Sequence, residues 1–477
     1  MTRRDVLSAS AAAALATPGG AHAAQPVGPV MEKLSAYMAA ARDRALPDAV
    51  VEKTKHHILD TFAAMISGAD LLPGQMAIKF ARAYGGEKIA TVIASDILTG
   101  PIEAALANGV MAHADETDDS HAPSLSHPGC AVVPAALAMG EQLGIGGAHL
   151  LRAVALGYDV GPRMTMCLGI PALSREWHRS SHSIAGVFGA AAAAGCAAGL
   201  NGQQMRWLID YTAQQSSGIA AWQRDSEHVE KAFVFGGMTA RSGVTSAQLV
   251  RAGWSGIDDI LSGPDNFLIA NSPRADADKL VDGLGERYEI VRTNIKKWTV
   301  GSPIQAPLDA LEILLKRRPF TADQVKKIEV RLGTREASVV NNREIPDICL
   351  QQMVAVMLLD KTVSFHAAHD VARMNDAAAK AQRAKVELVP DAELEKVVRQ
   401  SIVTVTLNDG TELREHVKAV RGTAGNPMPR DEVVAKCRDL IAPVLGGTTT
   451  ATLIDRALGL ETTKDIRELR PLLQRRG

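Results

Sequence analysis

Between Ser183 and Gln204 the chain carries no charged side chain, and alanine and glycine make up most of the run. Such a stretch is long enough to cross a bilayer, but its small side chains make it too weakly apolar to prefer lipid. They suit a central helix enclosed by other helices, because small residues let neighbouring backbones approach closely. The composition agrees: aromatic residues are only 4% of the chain while hydrophobic residues are 46%, which favours close-packed helices over an aromatic-rich sandwich. At 477 residues the chain is also longer than one hydrophobic core usually serves, so two domains are expected.

The pattern around that run repeats the helical theme. Apolar residues recur at three- and four-residue spacings over 31–44, 48–68, 75–84, 102–114, 131–143, 148–167, 182–200 and 203–215, with Gly or Pro between segments. After Asn271-Ser272-Pro273 the character changes. Alternating strands are predicted at 327–332 and 385–389, and strands at 401–407 and 411–417 flank Asn408-Asp409-Gly410, a hairpin signal. Helices are predicted at 305–317, 352–359 and 366–379. Past Gly422 a helix-start pattern precedes a final helix at 433–445. The predicted fold is mainly α, with a large all-helical domain formed by both chain ends (28–272 and 423–477) and a smaller α+β lid domain (273–422).

Several function classes drop out early. A formal net charge of -1 is not that of an electrostatic nucleic-acid binder. Five scattered cysteines without a C-x-x-C pair suggest neither a zinc knuckle nor a dithiol centre, and they read mostly as small buried hydrophobes, Cys130 alone bordering polar residues. No dinucleotide fingerprint, phosphate-binding loop, zinc-protease motif or nucleophile elbow occurs, and no cofactor is expected. Arg3-Arg4, an Ala-rich stretch and Ala21-His22-Ala23 read as a twin-arginine export signal over 1–24, which would place a mature bacterial protein in the periplasm without membrane insertion.

The chemistry concentrates in His113-Ala-Asp-Glu-Thr-Asp-Asp-Ser-His121, followed by Ser126-His127-Pro128-Gly129-Cys130. Imidazoles and carboxylates at that density can surround a small polar ligand, and Pro128-Gly129 leads straight into a helix. Trp177-His178-Arg179-Ser180-Ser181-His182 and Lys231 add further candidates. Two readings stay open here. His113, Asp115, Asp119, His121 and His127 are spaced as metal ligands, or the imidazoles move protons for a cofactor-free reaction.

The order of these landmarks resembles the MmgE/PrpD family of small-polycarboxylate dehydratases, decarboxylases and epimerases. The resemblance rests on the acidic loop with His127-Pro128 and on Trp177-His178 ahead of Gly186-Val-Phe-Gly-Ala. It continues with Lys231 ahead of Gly237, Ala240 and Gly243, with Ile295-Lys296-Lys297-Trp298, and with Gly425-Asn-Pro-Met428. It implies a homodimer with an active site between helical and lid domains and no required metal. The family's loop Asp falls on Glu116, its Thr on Ser120, its His-Pro histidine on His127 and its two lysines on Lys231 and Lys296. Its aromatic-His falls on Trp177-His178 with a spacing longer by about two residues, so His178 and His182 compete for one role. Two positions depart from the pattern: Trp298-Thr299 replaces Tyr-Pro, and Gln352 stands for a lid Tyr.

The resemblance makes His127, His178, His182, Lys231, Lys296 and Glu116 the candidate catalytic residues. Ser120, Asp119 and Lys297 are the candidate substrate contacts, although Asp118 and Asp119 also suit buried structural hydrogen bonds. Fixed ammonium groups would hold charge developing beside a substrate carboxylate, and imidazole would carry the proton. The expected activity is a metal-independent lyase on a small di- or tricarboxylate, a hydro-lyase before a decarboxylase. The alternatives are a dicarboxylate epimerase or isomerase, a metal-dependent enzyme using the His113–His127 cluster, or an exported carboxylate-binding protein.

Overall fold

The computed structural model describes residues 26–475 apart from 171, 397 and 398, so the export signal expected over 1–24 lies outside the described residues. The chain opens with α1 (Pro29–Ala40), α2 (Asp48–Gly68) and α3 (Leu72–Tyr84). A two-residue antiparallel pair, β1 (Ala90–Thr91) and β2 (Leu98–Thr99), then leads into α4 (Pro101–Ala112). Prolines in the first turns of α1, α3 and α4 sit where a backbone amide has no helical partner, and their fixed φ starts each helix.

The uncharged run folds as α8 (Ser181–Ala197) and lies at the centre. Around it stand α5 (Gly129–Leu143), α6 (Gly147–Cys167) and α11 (Met238–Arg251). Glycine is obligatory at the crossing with α6. A Cβ on Gly157 would lie 2.7 Å from the Gly189 carbonyl oxygen, and one on Gly189 would lie 2.9 Å from that of Gly157. Helical spacing alone would have allowed larger residues there; backbone contact does not. Between these helices run α7 (Ala172–Arg175), α9 (Gly202–Gln215) and α10 (Val229–Ala232), with α12 (Phe267–Asn271) after α11. Asn201 and Gln204 form a reciprocal capping box that starts α9.

A second hydrophobic cluster, from Trp298 to Val420, is separate from the first. Its four-stranded sheet has the order β4-β3-β5-β6: β4 (Val386–Pro390) runs parallel to β3 (Val325–Leu332), which pairs antiparallel with β5 (Ser401–Leu407). Strand β6 (Glu412–Val417) returns antiparallel to β5 through a turn in which Gly410 has φ 85°, the left-handed conformation that a tight hairpin requires. Helices α13 (Gln305–Arg317) and α15 (Leu350–Asp360) pack beside it, with α14 (Thr334–Val340), α16 (Phe365–His369) and α17 (Ala377–Arg383) at its margins. The helix predicted over 366–379 is interrupted. Asp370 accepts from the Arg373 amide and Asp376 from the Ala378 amide, so local side-chain bonds end one helix and cap the next.

The chain then rejoins the helical body through α18 (Arg430–Leu445), α19 (Gly447–Leu458) and α20 (Arg470–Leu473), whose apolar residues belong to the first cluster. Lys436 of α18 is buried and donates 2.6 Å to Asp60 of α2 and 3.1 Å to the Thr117 carbonyl, tying the chain end to the acidic loop. Among the described residues no helix is long and apolar enough to cross a membrane.

Candidate active site

The loop after α4 is anchored on both sides. Ser120 exchanges backbone hydrogen bonds of 3.0 and 2.8 Å with Asn294, which brings Lys296 up against the loop. Lys296 is 3% exposed, and its Nζ donates 2.6 Å to the Glu116 carbonyl and lies 3.5 Å from the Glu116 carboxylate. Lys231 forms an ion pair with the other oxygen of the same carboxylate. Burial alone would raise the Glu116 pKa, but the two ammonium groups hold it well below the usual carboxylate range.

Asp118 is the second hub. Its oxygens meet His113 Nδ1 at 2.9 Å and His127 Nδ1 at 3.0 Å, with Lys296 at 3.9 Å. Against the cost of burial, those two imidazoles keep its carboxyl well below the ordinary range. An ionised Asp118 can only accept, so both rings donate to it from Nδ1. Burial lowers the His127 pKa, with Lys296 adding to the effect and Asp118 opposing it, so the ring is neutral at pH 7.

Aromatic side chains back these groups. A π-helical turn over Phe233–Gly237 precedes α11 and presents Phe235. Such turns favour functional sites because they widen one turn of a helix and re-aim its side chains. The Phe235 ring stacks on His182 at 3.9 Å between centroids and on His113 at 4.4 Å. Lys231 Nζ lies 5.5 Å from the Phe235 ring and 5.7 Å from that of Trp222. His182 and His228 both have pKa values well below normal, chiefly through burial, with further lowering by neighbouring imidazoles and Lys231. Three neutral rings therefore gather around two cations.

A cavity of about 540 Å³ opens over this cluster, within the ~300–1,000 Å³ usual for small-ligand sites. Glu116, His127, His182, His228 and Lys231 line its helical side, and Ser302, Arg343 and Arg399 line the lid side. Four of the expected residues thus meet in one place, with Lys296 bonded to Glu116 directly beneath. Ser120 is buried beside them with its hydroxyl unpartnered.

Other expected residues lie elsewhere. His178 is exposed in a left-handed conformation with φ 53° and lines a neighbouring surface depression, whereas His182, first turn of α8, turns inward; the inward ring is the one that meets His127. Asp119 is not a substrate contact, because its oxygens are taken by His57 Nδ1 at 2.8 Å, the Tyr158 hydroxyl at 2.5 Å and the Gly129 amide at 3.0 Å. Lys297 faces a different cleft, paired at 2.5 Å with Glu312. Trp298 is buried and donates to Asp309, and Gln352 is fully buried; neither lines the cavity. Sequence reasoning did not single out His228, Trp222 or Phe235.

The metal set suggested by spacing is dispersed. Asp115 pairs with His369 at 2.9 Å, Asp119 with His57, and His121 with Ser124 and with Glu289 at 3.1 Å. A different trio, His113, Glu116 and His228, offers ligand atoms within 4.8 Å of one another, and both imidazole Nε2 atoms are buried without partners. Its carboxylate already serves two ammonium groups, so a cation there would sit beside Lys231 and Lys296. A second trio uses Cys130, whose thiol donates to the His127 carbonyl and is pushed well above its usual pKa by burial and by Asp118. Neither donor set suits a divalent ion as well as the cavity suits an anion.

Neutral imidazoles facing fixed cations between a helical body and an α+β unit are the equipment of a lyase. The chain matches the MmgE/PrpD N-terminal domain over residues 32–279 and the MmgE/PrpD C-terminal domain over 298–460, and it belongs to the MmgE/PrpD family. It is 25% identical to a cis-aconitate decarboxylase-like protein of Aspergillus oryzae, over 94% of this chain and 98% of that one. Cis-aconitate decarboxylases of Aspergillus terreus and Homo sapiens are 24% and 25% identical, each covering 90% of this chain and 92% and 91% of their own lengths.

Proposed function

We propose that this enzyme is a metal-independent lyase of a small tri- or dicarboxylate, moving a proton at a carbon next to a carboxylate. The observation that carries the reading is the neutral His127, held by Asp118 on Nδ1 and presenting Nε2 at a cavity that Lys231 makes cationic. A carbon acid beside a carboxylate builds negative charge as its proton leaves. Lys231, and Lys296 through Glu116, would hold that charge in a partly dry cleft, where it is worth more than in water.

Two reactions use this arrangement. In dehydration His127 takes the proton, the electron pair forms the carbon–carbon double bond, and the hydroxyl leaves as water with a proton from the Lys231 ammonium. In decarboxylation the bond to a departing carboxylate breaks to release carbon dioxide, its electron pair passes into the adjacent unsaturated carboxylate, and the Lys231 ammonium delivers a proton to carbon. Resting neutral bases favour dehydration, while the names of the relatives favour decarboxylation of cis-aconitate. A homodimer and export belong to the same proposal; sedimentation of the purified protein and fractionation of the producing cell test them.

The experiment is proton NMR of the purified protein with citrate-, methylcitrate-, aconitate- and aspartate-derived acids in D₂O. Turnover of one of them, with deuterium at the carbon beside a carboxylate and no loss on adding chelator, is expected. Inversion without elimination would make it an epimerase. Binding without any exchange would leave a carboxylate-binding protein and end the lyase reading.

A further inference from the structure

The lid side of the cavity holds charge that the chemistry around Glu116 does not use. The charged groups lining the cavity are Lys231, Arg335, Arg343 and Arg399 against Glu116 and Asp225. Glu116 is shared by Lys231 and Lys296, and Asp225 accepts from the backbone amides of Glu227 and Lys231. The three guanidinium groups all come from the lid, and among the described residues none of them joins an ion pair within 4 Å. The cavity lining therefore carries a surplus of positive charge opposite its bases, which Glu336 in the adjoining depression offsets only in part.

Position separates the three. Arg335 also lines the two adjoining depressions and faces Arg175 of α7, so it stands at the rim. Arg343 is exposed and lines this cavity alone, while half-buried Arg399 lines both this cavity and one adjoining depression, where the carboxylate acting most on it is Glu336, ahead of Glu116. Arg399 also adopts a left-handed backbone with φ 64°, a conformation that non-glycine residues seldom hold and that aims this side chain from a short connection before β5. A guanidinium presents a rigid fork of donors that matches a carboxylate in two parallel bonds, which an ammonium does not.

We propose that Arg343 and Arg399 are the receptors for those substrate carboxylates that lie remote from the reacting carbon, so that the lid selects acids by the number of their carboxylates. This rests on the lyase reading only for where the reacting carbon sits. A tricarboxylate would reach from Lys231 and His127 on the helical body to both lid arginines and hold the two units together. A monocarboxylate would satisfy only one side. Arg335, at the rim, would draw the anion in rather than fix it.

Calorimetric titration of the full chain with tricarballylate, glutarate and butyrate tests this without turnover, since these saturated acids lack a leaving hydroxyl and a double bond. Wild type is expected to bind tricarballylate at least about tenfold tighter than glutarate, and butyrate weakest. Arg343→Gln and Arg399→Gln should each weaken tricarballylate about 10- to 100-fold and leave butyrate unchanged, while Arg335→Gln changes affinity less than about threefold. Arg399→Lys should recover only part of the loss, and it covers the case in which the glutamine variant does not fold. Equal tricarballylate affinity in wild type, R343Q and R399Q would overturn the proposal, as would wild type binding none of the three acids. Loss in the arginine variants together with no turnover of any acid by wild type would keep the receptor and remove the lyase reading.

Discussion

Within the loop from His113 to His127, two sets of imidazoles and carboxylates use the same residue types for opposite ends. On the cavity side, Asp118 holds His113 and His127 by one nitrogen each and leaves the other free. On the core side, Asp119 is saturated by His57, Tyr158 and Gly129, and His121 bonds Ser124 with one nitrogen and Glu289 with the other. Burial is nearly equal in the two sets; Asp118 and Asp119 are each 1% exposed. What separates them is unused hydrogen-bonding valence, because a fully satisfied group has nothing left to offer a substrate.

The largest effect should come from the core set. Asp119→Ala leaves His57 Nδ1, the Tyr158 hydroxyl and the Gly129 amide without an acceptor, and about 3–5 kcal/mol of stability should be lost in urea titration. A loss no larger than that of an exposed Asp would break the division drawn above. On the cavity side the cost should fall on rate. His127→Ala or Lys231→Ala should lower turnover at least about a hundredfold while costing less stability than Asp119→Ala, because Asp118 keeps His113 and Glu116 keeps Lys296, and wild-type rates in either variant would remove that residue from the mechanism.

A smaller effect joins the two units. His369 of the lid pairs with Asp115 of the loop and lies 4.0 Å from Asp347. Burial would lower the His369 pKa, but Asp115 and Asp347 raise it to about 9, and burial raises Asp347 to about 6. A histidine raised in the folded state contributes stability that is complete below its ordinary value near 6.5 and disappears as pH climbs through about 9. Thermal unfolding of wild type should therefore decline between those values by at most about 3 kcal/mol, and His369→Gln should be flatter over the same window. Equal slopes would show that this pair does not fasten the lid.

The smallest effects should follow changes at His178 and Lys297. Both lie outside the cavity, so alanine at either should leave turnover within about twofold and stability within about 1 kcal/mol. A hundredfold loss at His178 would reinstate it in place of His182.

Much of the fold was legible because its signals are local. The helix over Asp48–Gly68, the helix over Gln305–Arg317 and the strand over Ser401–Leu407 begin and end where periodicity and punctuation predicted. The helix predicted over 366–379 was not, because Asp370 and Asp376 redirect the backbone through bonds that hydrophobic spacing does not register. Within the site, the acidic loop, Lys231 and Lys296 stood out by composition and by family resemblance. The facing of each side chain did not. Asp118 and Asp119 are neighbours in sequence and meet opposite surroundings, and Lys296 and Lys297 do the same. Phe235 and His228 were overlooked because a π-turn and a left-handed residue aim them, and neither leaves a mark in residue spacing.

The most direct test is the rate at which deuterium from D₂O enters the carbon beside a carboxylate of the accepted acid, compared between wild type and His127→Gln at matched folded concentration. Rapid incorporation by wild type, slowed at least about a hundredfold in the variant, is the outcome expected if the cavity-side imidazole moves the proton. Equal rates in the two proteins would contradict it.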